Sequence, residues 1–188
     1  LRLDGLGQQS GCDLLFVPGG SYAGDFHPVV TMSRNLLPFE WQVLWRYGCS
    51  YPSFRLMLLR WKQSRTFRRA DGLIFLTRYA RDVVMREIGT TAGKMTIIPH
   101  GSDKRFICPP REQLTIDLYS IERPFRVLYV SIIDLYKHQW YVAEAVAQLR
   151  TKGFPVTLEL VGPAYPPALA RMKRTIDRVD PSGEFVRY

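Results

Sequence analysis

Short apolar runs that stop at glycine or proline alternate along this chain with longer stretches in which apolar residues recur every three or four positions. The first run, Cys12 to Gly20 (CDLLFVPGG), predicts a strand ending in an open loop at Pro-Gly-Gly. A second brief strand is expected around Val29 to Met32. From Pro38 to Ala70 the period turns helical: Phe54, Met57, Leu58 and Trp61 stand at i, i+3, i+4 and i+7, with Arg55, Lys62 and Arg69 every seven residues on the neighbouring face. Pro52 and Ser53 suit the opening of this helix. The four apolar residues are expected to pack on a sheet, which would leave an ordinary basic surface outside.

The alternation then becomes regular. DGLIFLT (Asp71 to Thr77) reads as an apolar strand, Thr77 as the N-cap of the helix RYARDVVMREIG, and Gly89 as its stop. MTIIPHG is the next strand. Residues 103–124, with Pro109, Pro110, Glu112, Glu122 and Pro124, read as a connector. Beyond it RVLYVS is a strand and HQWYVAEAVAQLR a helix with Val142, Val146 and Leu149 on one face, ended by Gly153. VTLELVG, PALARMKRTIDRV and EFVRY follow as strand, helix and the start of another strand.

Such near-continuous apolar strands alternating with helices imply α/β units whose parallel sheets are covered on both faces. The expected division is one Rossmann-like half over residues 1–108, a linker over 109–124 and a second half over 125–188. Four strands precede the linker and three follow it, fewer than the five or six of a self-standing doubly wound domain, so both halves read as incomplete. The polar opening without an initiator Met, and the last residues in mid-strand, are read as cuts in a longer protein.

Composition narrows the function classes. At 188 residues and 46% hydrophobic the chain can bury a core. No apolar run approaches the roughly 20 residues of a bilayer span, and LRLDGLGQQSGC lacks the apolar stretch of a signal peptide. Cys12, Cys49 and Cys108, like His27, His100 and His138, are scattered without metal-ligand or disulfide spacing. Neither metal nor cofactor is expected, and a cytoplasmic setting is the simplest.

The net charge of +9 is uneven: residues 1–110 hold 15 Lys and Arg against 8 Asp and Glu, residues 111–188 hold 11 against 9. Trp41 to Ala70 contains no acid, and Arg55, Arg60, Lys62, Arg65, Arg68 and Arg69 crowd its second half. A basic surface of this kind attracts phosphates, anionic lipid or nucleic acid.

In open α/β sheets ligands bind beyond the carboxyl ends of the strands. Gly19, Gly20 and Gly101 in those loops could let backbone amides approach an anion. Lys137, past the strand RVLYV and just before the helix near His138, could hold a diphosphate together with that helix's free N–H groups. No GxxxxGK[ST] loop is present and no GxGxxG follows a strand, which argues against a P-loop nucleotidase and a dinucleotide dehydrogenase.

The order LLFVPGG, VVTMSRNLLPFE, RRADGLIFLTRYARDVV, IIPHGSD with a Phe shortly after, and VLYVSIIDLYKHQ followed by LELVGP resembles the bacterial family 4 (group 1) retaining glycosyltransferases of the GT-B fold, over nearly the whole chain. The resemblance implies transfer of a sugar from a nucleotide-sugar to an acceptor in glycan or polysaccharide biosynthesis, with retention of configuration and with the nucleotide-sugar as substrate rather than cofactor. It places residues 1–108 on the acceptor side and 125–188 on the donor side. Lys137 and Ser131 would bind the donor diphosphate, Gly19, Gly20, His100 and Gly101 would line the cleft, and Ser33, Arg34 and Asn35 would begin the acceptor-side loop. A glycan or lipid-linked acceptor is implied, with peripheral contact of Phe54–Arg69 with the anionic inner face of the membrane, and no nucleic acid as partner.

Departures from the family pattern are specific. Ile132 stands where an Arg commonly precedes the phosphate-binding Lys by five residues, and Met32 to Arg34 carries no His. The paired glutamates that hold donor sugar and ribose would fall beyond Tyr188, so these residues by themselves are expected not to catalyse transfer. The basic charge also admits a nucleic-acid-binding module, and Ile132 a non-catalytic scaffold that keeps the fold.

Overall fold

The structure, a computed structural model, describes residues 2–110 and 112–188. It divides into two compact units, Leu1–Ile107 and Cys108–Tyr188. In unit 1 the order is α1 (Arg2–Gln9), β1 (Leu15–Val17), β2 (Val29–Ser33), α2 (Trp41–Tyr47), α3 (Tyr51–Arg69), β3 (Gly72–Phe75), α4 (Arg78–Ile88) and β4 (Lys94–Ile97). Unit 2 holds β5 (Phe125–Val130), α5 (Gln139–Thr151), β6 (Val156–Val161), α6 (Pro166–Val179) and β7 (Val186–Arg187).

Among the described residues the strands form a four-stranded sheet in the order β1-β2-β3-β4 and a three-stranded sheet in the order β5-β6-β7, parallel throughout. Because strands that follow each other in sequence are neighbours in space and each crossover turns the same way, successive helices fall on one face. In unit 1, Phe67 of α3 and Ala80, Val83 and Val84 of α4 close over Val29, Leu73 and Phe75. In unit 2, Trp140, Ala143 and Val146 of α5 and Ala168 and Met172 of α6 close over Val156, Leu158, Leu160 and Val186. The opposite face of unit 2's sheet leaves Leu128, Val130 and Val161 exposed. Covering on both faces, expected from the apolar runs, is therefore absent there among the described residues: an apolar strand run says that a face can be buried, not that it is.

Local signals acted where they are local. Thr77 caps α4 by accepting from the Ala80 N–H at 3.0 Å, and Gly89 ends it at φ 72° with its N–H on the Met85 carbonyl. The helix α1 carries two glycines and no sequence signal singled it out. The Asp4 carboxylate anchors it by accepting from the Tyr22 hydroxyl and from the N–H groups of Asp25 and Phe26. Those bonds, the Tyr22 one foremost, lower its pKa to about 2.

The amphipathic face of α3 is not the expected one. Phe54 and Trp61 are 67% and 62% exposed, and Met57 and Leu58 are exposed too, whereas Phe67 is 1% exposed and stacks on Phe39. The buried face is largely polar and held by specific partners. Arg60 donates to the Pro38 carbonyl (3.0 Å) and to Glu87 (3.0 Å), with its guanidinium 4.0 Å from the centre of the Trp41 ring. Thr66 accepts from the Tyr22 N–H and donates to the Tyr22 carbonyl, and Arg68 donates to the Ile88 carbonyl. Buried polar groups need such partners, so this set fixes the rotation of α3. In α5 the buried residues are Gln139, Trp140, Ala143 and Val146, while Leu149 is exposed.

Candidate functional site

In unit 2 the carboxyl end of β5 runs into a loop that carries Ser131, Ile132 and Lys137 before α5 begins. The loop is tied down on one side. The Ser131 N–H donates to the Val161 carbonyl (2.9 Å), the Ile133 N–H to the Pro163 carbonyl (2.8 Å), and Ile133 bridges to Ala164. Gly162 makes this approach possible, because at φ 146° a Cβ there would stand 2.2 Å from the Ser131 carbonyl oxygen. Ile133 is completely buried beneath the loop.

The other end of the loop is shaped by a turn in which the Lys137 N–H donates to the Asp134 carbonyl (3.0 Å), and by His138, a non-glycine residue in the left-handed region at φ 58°. His138 stacks on Tyr141, and Gln139 is fully buried with its Nε2 donating to the Ile132 carbonyl at 2.8 Å. The start of α5 is thus bonded back to the middle of the loop. Lys137 remains exposed, its ammonium 5.3 Å from the centre of the Tyr136 ring. Burial, and then the Asp134 carboxylate, push the Tyr136 hydroxyl up, so that it stays a neutral donor at physiological pH. An exposed cation, hydroxyls at Ser131 and Tyr136 and the amino end of a 13-residue helix share one loop, a combination suited to a polyanion. Ile132, 39% exposed, supplies no second cation.

In unit 1 the expected residues separate into two places. The loop after β1 packs on the carboxyl end of β2 and on α3: Gly20, at φ 72°, sits where a Cβ would lie 3.3 Å from the Met32 carbonyl oxygen and 3.0 Å from Gln63 Nε2. Gly20 is therefore required by backbone geometry and close packing. Gly19 meets no such constraint, and its carbonyl accepts from Gln63 at 3.4 Å. Ser33 closes β2 and is 5% exposed, with its hydroxyl unpartnered among the described residues. Arg34 is exposed, and Asn35 accepts from the Leu37 N–H (3.0 Å), which ties its side chain to the following turn. His100 and Gly101 are exposed beyond β4, two strands away from β2 in the sheet. No backbone constraint demands glycine at 101.

Sequence reasoning missed Gly162, Tyr136 and Gln139, which shape or furnish the β5–α5 loop. Only Gly162 carried a usable signal, a glycine directly after an apolar strand. The recess lined by Glu112, Tyr119, Glu122 and Arg123 lies at the amino end of β5, away from this loop. Among the described residues no three His, Cys, Asp or Glu gather in a metal-binding cluster, and no helix is long and apolar enough to cross a membrane.

No family model matches the chain, and no curated protein does. Among solved structures it is similar to that of Anabaena Alr3699/HepE in complex with UDP and glucose, with a TM-score of 0.55 and 18% identity over 85% of this chain and 40% of that chain. The chain therefore spans less than half of that protein's length. The likeness is one of fold: an α/β chain with two Rossmann-like halves built on parallel sheets, GT-B-like.

Proposed function

We propose that this chain is the part of a glycosyltransferase that receives the acceptor on unit 1 and the diphosphate of a nucleotide-sugar donor on unit 2. The observation that carries the reading is the β5–α5 loop, which sets an exposed Lys137 beside the first turn of α5 at the carboxyl end of a parallel strand. Support comes from the similar fold of a protein whose structure holds UDP and glucose. In the reaction the bond from the sugar's anomeric carbon to the diphosphate breaks with its electron pair leaving on the diphosphate, a bond to the acceptor oxygen forms on the same face, and the acceptor hydroxyl's proton passes to the departing diphosphate.

Negative charge grows on the departing diphosphate, so a fixed cation and oriented N–H groups stabilise the transition state more than the bound donor. Lys137 and the α5 amides have that role, and the Ser131 hydroxyl donates beside them. With Ile132 in the loop, Lys137 is the cation on which this site depends. On the acceptor side, the Ser33 hydroxyl, buried and unpartnered among the described residues, and the exposed Arg34 mark the loop after β2 that meets the incoming hydroxyl, with Asn35 holding its shape. The acceptor is a glycan or a lipid-linked sugar, and no metal or cofactor takes part.

Calorimetric titration with UDP and GDP tests the donor side directly. One of the two binds, and Lys137→Ala weakens it about tenfold or more, the loss expected for one charge-assisted contact. Unchanged affinity in Lys137→Ala overturns the assignment.

A further inference from the structure

Two breaches of local preference fall on consecutive residues of unit 2, and both follow Lys137 directly. His138 is the one non-glycine residue with positive φ among the described residues, at 58°. That conformation crowds the Cβ of an L residue against its own backbone, so it persists only where the surroundings hold it. Gln139 opens α5 and is 0% exposed, although glutamine is a residue mostly left in water. Burying an amide is unfavourable unless its polar atoms find partners. The Gln139 Nε2 has one, the Ile132 carbonyl, while its Oε1 is unpartnered among the described residues. An apolar side chain would fill the same place without that cost, as Ile133 does in the same loop. Packing alone therefore does not account for the glutamine.

What the amide achieves is geometric. Ser131 and Ile133, on either side of Ile132, are fixed to the chain leaving β6: their N–H groups donate to the Val161 and Pro163 carbonyls, and the Ile133 carbonyl accepts from the Tyr165 N–H at 2.9 Å. Gln139 carries that anchorage across the loop to the start of α5. The segment between is closed on itself. The Lys137 N–H donates to the Asp134 carbonyl, and the Lys137 carbonyl accepts from the Tyr129 hydroxyl of β5 at 3.4 Å. The Lys137 backbone is thus held through both of its peptide groups and from both ends of its turn, while its side chain stays exposed. Ile132 brings no charge to the loop, so the placement of this one cation decides what the loop can hold.

We infer that Gln139 is a positioning residue for Lys137: its buried amide locks the turn that presents the ammonium at the amino end of α5. The inference rests on the reading of this loop as the donor diphosphate site. Gln139 touches no ligand itself. It acts by removing the need to order the loop when the anion arrives, since a group already held in its bound place loses less freedom on binding. The left-handed turn at His138 belongs to the same device, because it lets the chain pass from Lys137 into α5 while the next side chain turns inward to Ile132.

A double-mutant cycle, read by calorimetric titration of the 188-residue chain with UDP and GDP, tests it. Gln139→Met is nearly isosteric and has no donor, and Gln139→Glu keeps the shape but sets a carboxylate oxygen against the Ile132 carbonyl. Each weakens the nucleotide that wild type binds about fivefold, with circular dichroism unchanged. In the Lys137→Ala background the same substitutions change affinity by less than about twofold, because the amide acts through the ammonium. A residue that only stabilised the fold would leave the affinity of the folded chain alone, or weaken it equally in both backgrounds. If Gln139→Met does not fold, Gln139→Glu carries the cycle. Unchanged affinity in the folded Gln139 variants, or equal losses with and without Lys137, overturns the inference and leaves the donor site standing. Absence of nucleotide binding by wild type, or unchanged affinity in Lys137→Ala, removes the donor reading and this inference with it.

Discussion

Asp180 shows how much of unit 2 rests on one side chain. It is 3% exposed, and its carboxylate accepts from the N–H groups of Glu184 (2.9 Å), Phe185 (2.8 Å) and Val186 (2.7 Å), which aims the chain from α6 into β7. Burial pushes its pKa up, but the three N–H groups outweigh burial and leave it below the ordinary carboxylate value. A depressed folded pKa means stability present above the unfolded value, near 4, and lost as pH falls through the folded value. Chemical denaturation should show Asp180→Ala less stable by about 2–4 kcal/mol at neutral pH, the scale for leaving buried N–H donors unpaired. Asp180→Asn should flatten the loss of stability below pH 4.

At the scale of elements, α3 separates what a sequence pattern can say from what it cannot. The spacing Phe54, Met57, Leu58, Trp61 is a sound amphipathic signature, and the helix is there, from Tyr51 to Arg69. Its buried side is nevertheless set by Arg60, Gln63 and Thr66, whose partners Pro38, Glu87, Gly19 and Tyr22 are distant in sequence. Periodicity cannot register such contacts. Phe67→Ala should therefore cost about 3–5 kcal/mol in unfolding free energy, while Phe54→Ala should stay within about 0.5 kcal/mol. Equal costs would put α3 back in the orientation that the pattern suggests. The strands, by contrast, were legible to within a few residues, as were the Thr77 cap and the Gly89 stop, because apolar runs and capping residues act locally. The helix α1 was not legible, since Asp4 and Tyr22 hold it from outside.

For the whole molecule, the candidate loop was legible in sequence as positions and not as geometry. Lys137 and Ser131 fall on one loop at the carboxyl end of β5, where parallel-sheet topology directs a ligand. The glycine behind that loop, Gly162, and the left-handed turn at His138 emerge only once β5 and β6 are paired. In unit 1, Gly20 belongs to packing and Asn35 to a turn, so the proposed acceptor loop retains Ser33 and Arg34 as its candidate side chains. The charge divides along the same lines: the strongly basic surface lies on α2 and α3, while unit 2 presents Lys137 as an isolated cation on its loop. The most direct measurement of the central claim is amide hydrogen exchange with and without saturating UDP or GDP. Slowed exchange concentrated in residues 131–141, and absent when Lys137 is Ala, is the predicted result. Protection confined to residues 41–69, or binding without any protection of the β5–α5 loop, would contradict it.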